Sequence, residues 1–243
     1  MEQSTADGSM ARPRPAALWV VSTLLVLICG TLFITAIRYA REAARNARCR
    51  GKLKQLGFAL ENYYQLNGTY PPAYVVDAEG RPMHSWRALL LSSMGELTDY
   101  DFTEPWNSPK NLRSADRHPE LAMWFHCPSD DSTHPEWTSY IAVTGAETLW
   151  PGHQVVMLDN AAKECGTILL IELHESGINW LEPRDVKIGE VESWDYREKL
   201  NHPEGFHFVT SLDDVGTLWL APTEMEILKK MAIRHGGSVE PQP

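Results

Sequence analysis

Histidine is the residue type in this sequence whose chemistry most invites a metal-site interpretation, because nine histidines are spread over 243 residues. His174 begins an H-E pair, but the second histidine of the zinc motif H-E-x-x-H is missing. His126 precedes Cys127, and His202 lies five residues before His207, yet neither pair has a further partner at metal-ligand spacing. We therefore interpret the histidines as surface or loop residues and predict no metal site.

Two acidic pairs could supply oxygen ligands for calcium. They are Asp130-Asp131 and Asp213-Asp214, and their spacing fits no EF-hand loop. Solvated acidic loops are the preferred interpretation. The motifs G-x-S-x-G, G-x-x-x-x-G-K-[ST] and G-x-G-x-x-G are absent as well. The sequence thus predicts no catalytic residue and no cofactor.

Aromatic residues mark a candidate interaction loop in the segment YDFTEPWNSP. Tyr100, Phe102 and Trp106 lie there, in a chain that contains nine tryptophans. Aromatic side chains on loops can anchor a binding partner. The alternative, which we prefer, is that these three residues fold the loop onto the sheet as a small satellite core, because long loops need such packing to be ordered.

An uncharged apolar run precedes all of these residues. Residues 16–37 contain 22 residues without a charge, which as a helix spans about 33 Å and can cross a bilayer. The run is longer than the apolar region of a secretory signal, and basic residues follow it directly. We predict a retained transmembrane helix at 16–37, with residues 1–15 as an N-terminal tail.

The same helix is predicted to continue as an amphipathic spine over residues 38–66. Leu53, Leu56, Leu60 and Tyr63 recur at the spacing of one helical face. An Asn-Gly pair and a Pro-Pro pair then end the helix. Such a spine needs another layer to cover its apolar face.

Short apolar, β-branched runs predict the strands that form this layer. The predicted strands are 73–76, 140–144, 154–158, 167–173, 206–210 and 217–220. A short helix is predicted at 85–94, and a last helix begins with a capping box of Thr223 and Glu226 and buries Ile227, Leu228 and Met231. Residues 38–237 thus form one domain, followed by a loose tail at 238–243. The predicted fold class is α+β, with a long N-terminal transmembrane and spine helix on an antiparallel β-sheet, long loops and a short C-terminal helix.

Charge is distributed unevenly along the chain. Residues 38–54 carry seven basic residues and one acidic residue, for a net charge of +6, whereas residues 55–243 carry 13 basic and 29 acidic residues, for a net charge of −16. A domain this acidic repels nucleic acid, so no nucleic-acid partner is expected. The basic stretch favours contact with anionic lipid headgroups, and by the positive-inside rule alone it places the domain in the cytoplasm.

The helix and its ending resemble those of pseudopilins, in which a transmembrane helix runs into a spine and stops at a turn such as that in ENYYQLNGTYPP. Further segments resemble the large planctomycete family known as domain of unknown function 1559 (DUF1559), whose members are pilin-like. The matching segments are AREAARNARCRGKLKQLGFALENYY, SWRALLL, YDFTEPWNSPKN, HCPSDD, TSYIAVTGAETLWPG, GTILLIELHESGINWLEP and HPEGF. The prepilin signal of the family is missing, because Gly8 is followed by Ser9 and no glutamate lies in or just before the apolar run.

The resemblance implies an N-terminus inside the cytoplasmic membrane and a domain outside it, and we follow it over the charge count. It also implies a disulfide between Cys49 and Cys127, because both positions recur in the family pattern. Two free thiols are the alternative, and Cys165 is a competing partner.

Three functions are therefore considered for the domain. The first is a pseudopilin-like structural or interaction protein of the bacterial envelope, in a secretion or pilus-like assembly, with other pilin-like subunits or envelope proteins as partners. The second is an anchored ligand-binding or sensory ectodomain, which a deep pocket lined by Trp and His would favour. The third is an anchored enzyme, which a buried carboxylate or histidine with a shifted pKa in a cleft would favour. The first is preferred, so we expect a protein that is not an enzyme.

Overall fold

The first element, α1, is one continuous helix of 53 residues in this computed structural model, Pro15–Asn67. Leu, Ala, Arg and Lys are frequent in it and favour helix. It ends within one residue of the predicted boundary. Gly68 follows with a φ of 76°, a left-handed conformation that glycine adopts without steric cost, and the proline pair at 71–72 cannot continue a helix. The predicted segments 16–37 and 38–66 therefore lie in one element.

The structure describes residues 15–158, 166–191, 200–203, 205–212, 215–218, 222–236 and 238–240. The elements after α1 are, in chain order, β1 (Tyr74–Val76), β2 (Pro82–Ser85), α2 (Trp86–Ser93), α3 (Pro109–Arg117), α4 (Pro119–Ala122), β3 (Tyr140–Thr144), β4 (Val155–Met157), β5 (Ile168–Glu172), β6 (Val186–Lys187), β7 (Phe206–Thr210), β8 (Val215–Leu218), α5 (Pro222–Ala232) and β9 (Ser238–Glu240).

The chain divides into two compact units, and the boundary falls after Ala44 within α1. In the first unit the large apolar side chains between Leu18 and Ile34 are exposed. By length and composition, α1 holds the one stretch of the described residues that is suited to crossing a membrane, as a span or as a signal sequence.

In the second unit, α1 packs through the predicted stripe. Leu53, Leu56 and Leu60 are buried, and Tyr63 packs against the same core. The stripe is therefore confirmed, and it lies against residues of the central sheet such as Ala142.

The central sheet has five strands in the order β6-β3-β5-β7-β8. Neighbouring strands are antiparallel, except that β6 pairs with β3 in parallel. Side chains alternate along β3: Tyr140 and Ala142 belong to the core that contains the α1 stripe, whereas Ile141 and Val143 belong to a second core that contains residues of α5. The predicted α+β class, with a long apolar N-terminal helix, an antiparallel-rich sheet and a short C-terminal helix, is confirmed.

The C-terminal region departs from the sequence prediction at two points. Leu228 is buried and Met231 is half-buried, but Ile227 is 44% exposed, so its assignment to the buried face is wrong. The prediction of a loose tail from residue 238 is also wrong for Ser238–Glu240, because these residues form β9 and pair with β4. The side chain of Thr223, and with it the predicted capping box, lies outside the described residues.

Candidate functional site

The structure joins Cys49, on α1, to Cys127, which follows α4, in a disulfide with a Cα–Cα distance of 5.3 Å. Both cysteines are fully buried. The position of Cys127 is fixed by its backbone N–H, which donates to Ser139 Oγ at 2.8 Å. On the other side, the Tyr140 hydroxyl donates to the Cys49 carbonyl at 3.2 Å. Residues at the start of β3 thus hold both halves of the bridge.

The other cysteines lie elsewhere. Cys29 is exposed and free in the first unit. Cys165, the predicted competitor, lies outside the described residues.

A buried acid and two buried histidines surround the disulfide. Glu172 ends β5, His207 lies on β7, and His202 precedes β7. His202 Nε2 lies 3.4 Å from Glu172 Oε1 and 3.5 Å from Cys127 Sγ. His207 Nε2 lies 3.9 Å from Glu172 Oε2, and the two imidazole centroids are 4.9 Å apart. Each is 1% exposed, so neither is a surface residue. The prediction of surface or loop residues is wrong for His207, which lies on β7, whereas His202 lies in a loop as predicted but is buried there.

Sequence reasoning missed this cluster because Glu172 and the two histidines are about thirty positions apart and meet only through the antiparallel pairing of β5 and β7. The usable signal was local. In the apolar strand FHFVT, His207 is the one titratable residue, and the strand GTILLIEL contains one buried acid.

Burial controls the protonation of this cluster. It raises the pKa of Glu172, while the hydrogen bond and charge of His202 act in the opposite direction. Burial also lowers the pKa of His207 to about 4, with His202 and Arg50 contributing in the same direction. Glu172 Oε2 and His207 Nε2 have no hydrogen-bond partner among the described residues, so the cluster contains two buried polar atoms whose pairing is incomplete.

Both carboxylates of the acidic pair Asp130-Asp131 lie beside His174: Asp130 Oδ1 is 3.4 Å from Nδ1, and Asp131 Oδ1 is 3.7 Å from Nε2. Asp130 is buried, and its Oδ2 accepts a hydrogen bond from Ser139 Oγ at 2.9 Å. The Asp131 side chain is 91% exposed. The solvated-loop interpretation therefore describes Asp131 and is wrong for Asp130, which braces the residue that holds Cys127. Asp213-Asp214 lies outside the described residues.

The candidate interaction loop is folded onto the domain. Tyr100 is buried, and its hydroxyl lies 2.8 Å from His84 Nδ1. The rings of Tyr100 and Phe102 are 4.8 Å apart, and both pack edge-on against the His84 ring. Phe102 and Trp106 are partly buried against the main core. The three residues thus fold the loop onto the domain, as the preferred interpretation has it, but they join the main core and do not form a separate satellite core.

A protein-family model matches the part of the chain that contains the spine, both disulfide cysteines and this loop. The model of a family described as "Protein of unknown function (DUF1559)" matches residues 38–184, more than half of the chain. The chain belongs to this DUF1559 family. No curated protein and no solved structure matches it significantly. The matched part contains Cys49, Cys127 and Glu172, whereas His202 and His207 lie beyond its end.

The segment SWRALLL of this DUF1559 protein contributes Arg87 to a buried ion pair with Asp185. Arg87 Nη2 lies 2.5 Å from Asp185 Oδ1, and both side chains are at most 1% exposed. Asp185 also accepts hydrogen bonds from Trp86 Nε1 at 3.2 Å and from the Ala142 backbone N–H at 2.8 Å. The pair joins α2 to β3 inside the domain, and these buried hydrogen bonds indicate a structural role. Arg87 Nε, by contrast, has no hydrogen-bond partner among the described residues.

The DUF1559 domain has two notable concavities among its described residues. One, of about 610 Å³, lies between β1 and the segment after β3 and is lined by residues that include Tyr74, Pro151 and Lys187. The other, of about 750 Å³, lies along α1 and is lined by residues that include Phe58 and Leu66. Neither contains Glu172, His202 or His207.

Proposed function

We propose that this DUF1559 protein is a membrane-anchored, pseudopilin-like subunit of a bacterial envelope assembly, of the secretion or pilus-like kind. The observation that carries the proposal is α1. One helix of 53 residues begins with an apolar, exposed stretch and ends as the packed spine of a sheet domain. The bilayer is the expected partner of the first part. In this proposal the anchor lies in the cytoplasmic membrane, and the domain lies outside it.

The exposed side of the spine supports a role in subunit contacts. Phe58 is 48% exposed, Leu66 is 79% exposed and Met94 is 39% exposed, and all three line the groove along α1. Clustered exposed apolar side chains mark surfaces that other proteins cover. Other pilin-like subunits or envelope proteins are the partners we propose for this surface.

Crosslinking in native membranes tests the proposal. A photo-reactive amino acid placed at position 58 or 66 should crosslink the chain to a second copy or to another chain with an apolar N-terminal helix. Arg81, in the turn between β1 and β2, has a side chain that is 74% exposed and offers a matched control position. No protein crosslink from either spine position, in membranes where the chain is abundant, would contradict the proposal.

A ligand-binding ectodomain is the second candidate, and the cavity beside β1 is the observation that favours it. Its volume of about 610 Å³ lies in the range of small-molecule sites. Its lining includes Tyr74, Arg184 and Lys187, and the described lining lacks the Trp and His expected to favour a ligand-binding function. Under this function, crosslinks should form from position 187 to a small molecule rather than from position 58 to a protein.

We propose no catalytic activity. Glu172 and His207 have shifted pKa values, but they lie against a disulfide inside the domain and outside both concavities. A catalytic acid or base must reach its substrate. The −16 charge of residues 55–243 likewise argues against a nucleic-acid partner.

A further inference from the structure

Four metal-ligating side chains converge at the disulfide. The ligand atoms of Cys49, Cys127, Glu172 and His202 all lie within 4.8 Å of one another, and all four residues are buried. They come from four separate segments: α1, the turn after α4, the end of β5, and the turn before β7. Two cysteines, a histidine and a carboxylate form a donor set that suits Zn²⁺.

The distances around His202 agree with tetrahedral coordination. Zn–S bonds of about 2.3 Å and Zn–N and Zn–O bonds of about 2.0–2.2 Å place the nitrogen about 3.6 Å from sulfur and about 3.4 Å from oxygen. His202 Nε2 lies 3.5 Å from Cys127 Sγ and 3.4 Å from Glu172 Oε1. The histidine and the carboxylate therefore already have the spacing of two zinc ligands.

The unpaired oxygen of Glu172 is a second, independent observation. The side chain is 2% exposed, and Oε2 has no hydrogen-bond partner among the described residues. The proposed ligand atom, Oε1, accepts a hydrogen bond from Asn201 Nδ2 at 3.1 Å, and a carboxylate oxygen can accept this bond and bind a metal ion with its second lone pair. A buried carboxylate with incomplete pairing is unfavourable, and a cation at its other oxygen would offset its charge. His207 Nε2, 3.9 Å from Oε2, lies where an outer residue could orient the ligating carboxylate.

We propose that this cluster binds Zn²⁺ when the disulfide is reduced, with Cys49 Sγ, Cys127 Sγ, His202 Nε2 and Glu172 Oε1 as ligands. The disulfide and the metal are alternative states of one site, because zinc is bound by thiolates and not by sulfurs that share a bond. In the zinc state the sulfurs separate to about 3.8 Å, the edge of a tetrahedron with two Zn–S bonds. Either state ties α1 to the turn after α4, so the domain keeps this link in oxidising and reducing compartments.

The interconversion needs a reductant, for which a phosphine serves in the test tube. The phosphine attacks one sulfur and breaks the S–S bond, water supplies the oxygen of the phosphine oxide, and both cysteines become thiols. Zn²⁺ then displaces one proton from each thiol as the two Zn–S bonds form, so about two protons leave per metal ion.

The test uses the full chain in detergent, reduced by a phosphine in urea and returned to buffer with or without Zn²⁺. We expect one Zn²⁺ per reduced chain, measured by competition with a chromophoric chelator, and none per oxidised chain. Co²⁺ as a probe should give a thiolate charge-transfer absorption and a tetrahedral d–d spectrum. Proton release, followed with a pH indicator, should be about two per metal ion.

Variants separate this site from loose binding by two thiols. His202→Ala keeps both cysteines and should weaken zinc binding by about 100-fold or more, and Glu172→Gln should weaken it as well. His153→Ala is the matched control, because His153 is exposed and lies outside the cluster, and it should bind as the wild type does.

Three results would overturn the proposal. They are equal zinc affinity in the reduced wild type and His202→Ala, binding of zinc by the oxidised chain, and a cobalt complex without thiolate absorption. If one variant fails to refold, the proton count and the cobalt spectrum of the wild type still decide whether both thiolates bind, and the other variant tests the remaining ligands. None of these results bears on the subunit role, which rests on α1.

Discussion

Asn111 shows how a single buried side chain can organise a loop. It is fully buried on α3, and its amide oxygen accepts from the Asp101 backbone N–H at 2.7 Å. Its amide nitrogen donates to the carbonyls of Asp101, Glu104 and Pro105 at 2.9–3.2 Å. Hydrogen bonds from one asparagine thus hold together the backbone of the loop that contains Tyr100, Phe102 and Trp106.

We expect Asn111→Ala to lower the free energy of unfolding by about 2–4 kcal/mol, because it leaves one N–H and three carbonyls without their partner. Asn107→Ala is the matched control: Asn107 is exposed in the same loop, and its substitution should change stability by less than about 0.5 kcal/mol. Urea unfolding of the full chain in detergent, followed by tryptophan fluorescence, measures both. Equal stability of the two variants would show that the amide does not organise the loop.

A second prediction concerns how much the buried Arg87–Asp185 ion pair contributes to stability. Asp185→Ala should lower the free energy of unfolding by about 3–5 kcal/mol, because it leaves the buried Arg87 guanidinium without its carboxylate partner. Arg87→Met combined with Asp185→Leu should cost less than the two single substitutions together, since no buried charge remains.

The Glu226–Lys230 pair is the control for this cycle. Its side chains are 61% and 72% exposed, and Glu226→Ala should cost no more than about 0.5 kcal/mol. Additive losses in the double variant would mean that the two charges act independently.

Among the elements, α1 carries the clearest test. Leu56 is 1% exposed, so Leu56→Asp places a charge in the core without a partner and should cost several kcal/mol, on the order of 3–5 kcal/mol. The neighbouring Gln55→Asp introduces the same residue at an exposed position and should be nearly neutral. The same urea titration compares the two, and similar midpoints would show that the spine is not packed.

Glu61 is unsuitable as a control on this helix, although it lies off the predicted stripe. It is half-buried and accepts a hydrogen bond from the hydroxyl of the buried Tyr70 at 3.2 Å. Helical periodicity identifies the side chains that face the core, but it does not identify the polar residue that a neighbouring loop reaches.

Strands with strong apolar, β-branched patterns could be predicted from sequence. β3 and β7 have the predicted bounds, 140–144 and 206–210, because their residues favour a buried pleated surface. β2, β6 and β9 were missed, since they are only two to four residues long. β6 and β9 also depend on pairing with strands that are distant in the chain, whereas β2 pairs with the neighbouring β1. α3 was missed, although the sequence contains a signal for its start: Ser108 is the N-cap residue and Pro109 is the first helical residue.

The candidate site was less predictable than the fold. The resemblance supplied Cys49 and Cys127 as a pair, but no sequence spacing relates them to Glu172 or His202. The register of β5 on β7 and the turn before β7 bring these residues together. Buried polar clusters of this kind depend on tertiary pairing, so periodicity alone does not reveal them.

At the scale of the whole molecule, the disulfide closes the chain segment that runs from α1 to the turn after α4. Cys49 and Cys127 are 78 positions apart, and closing a loop of that length removes about 4–4.5 kcal/mol of chain entropy from the unfolded state. We expect Cys49→Ala/Cys127→Ala to lose about that much stability, measured with a chelator present. Cys29→Ala, at an exposed position of the first unit, should have no effect on the domain. If the wild type loses nothing on reduction, the bridge does not constrain the unfolded chain.

The membrane topology decides whether the cysteine site is in its disulfide or its zinc state. Two observations give opposite answers about this topology. The net charge of +6 over residues 38–54 favours a domain on the cytoplasmic side, whereas the fully buried disulfide suits an oxidising compartment. Disulfides are rare in reducing cytoplasm, while amphipathic helices beside a membrane often carry basic residues toward lipid headgroups. We therefore predict that the N-terminus lies inside and the domain outside.

A reporter that is active only in the cytoplasm measures this directly. Fused after Pro243 it should be inactive, and fused before Met1 it should be active, so the two fusions control for each other's expression. In the same membranes, thiol alkylation without reductant should leave Cys49 and Cys127 unmodified, because they are bonded to each other. A C-terminal fusion that is active in the cytoplasm, together with alkylation of both cysteines after unfolding, would place the domain inside. The zinc form of the site would then be the one relevant in the cell, and the pseudopilin-like role would lose its support.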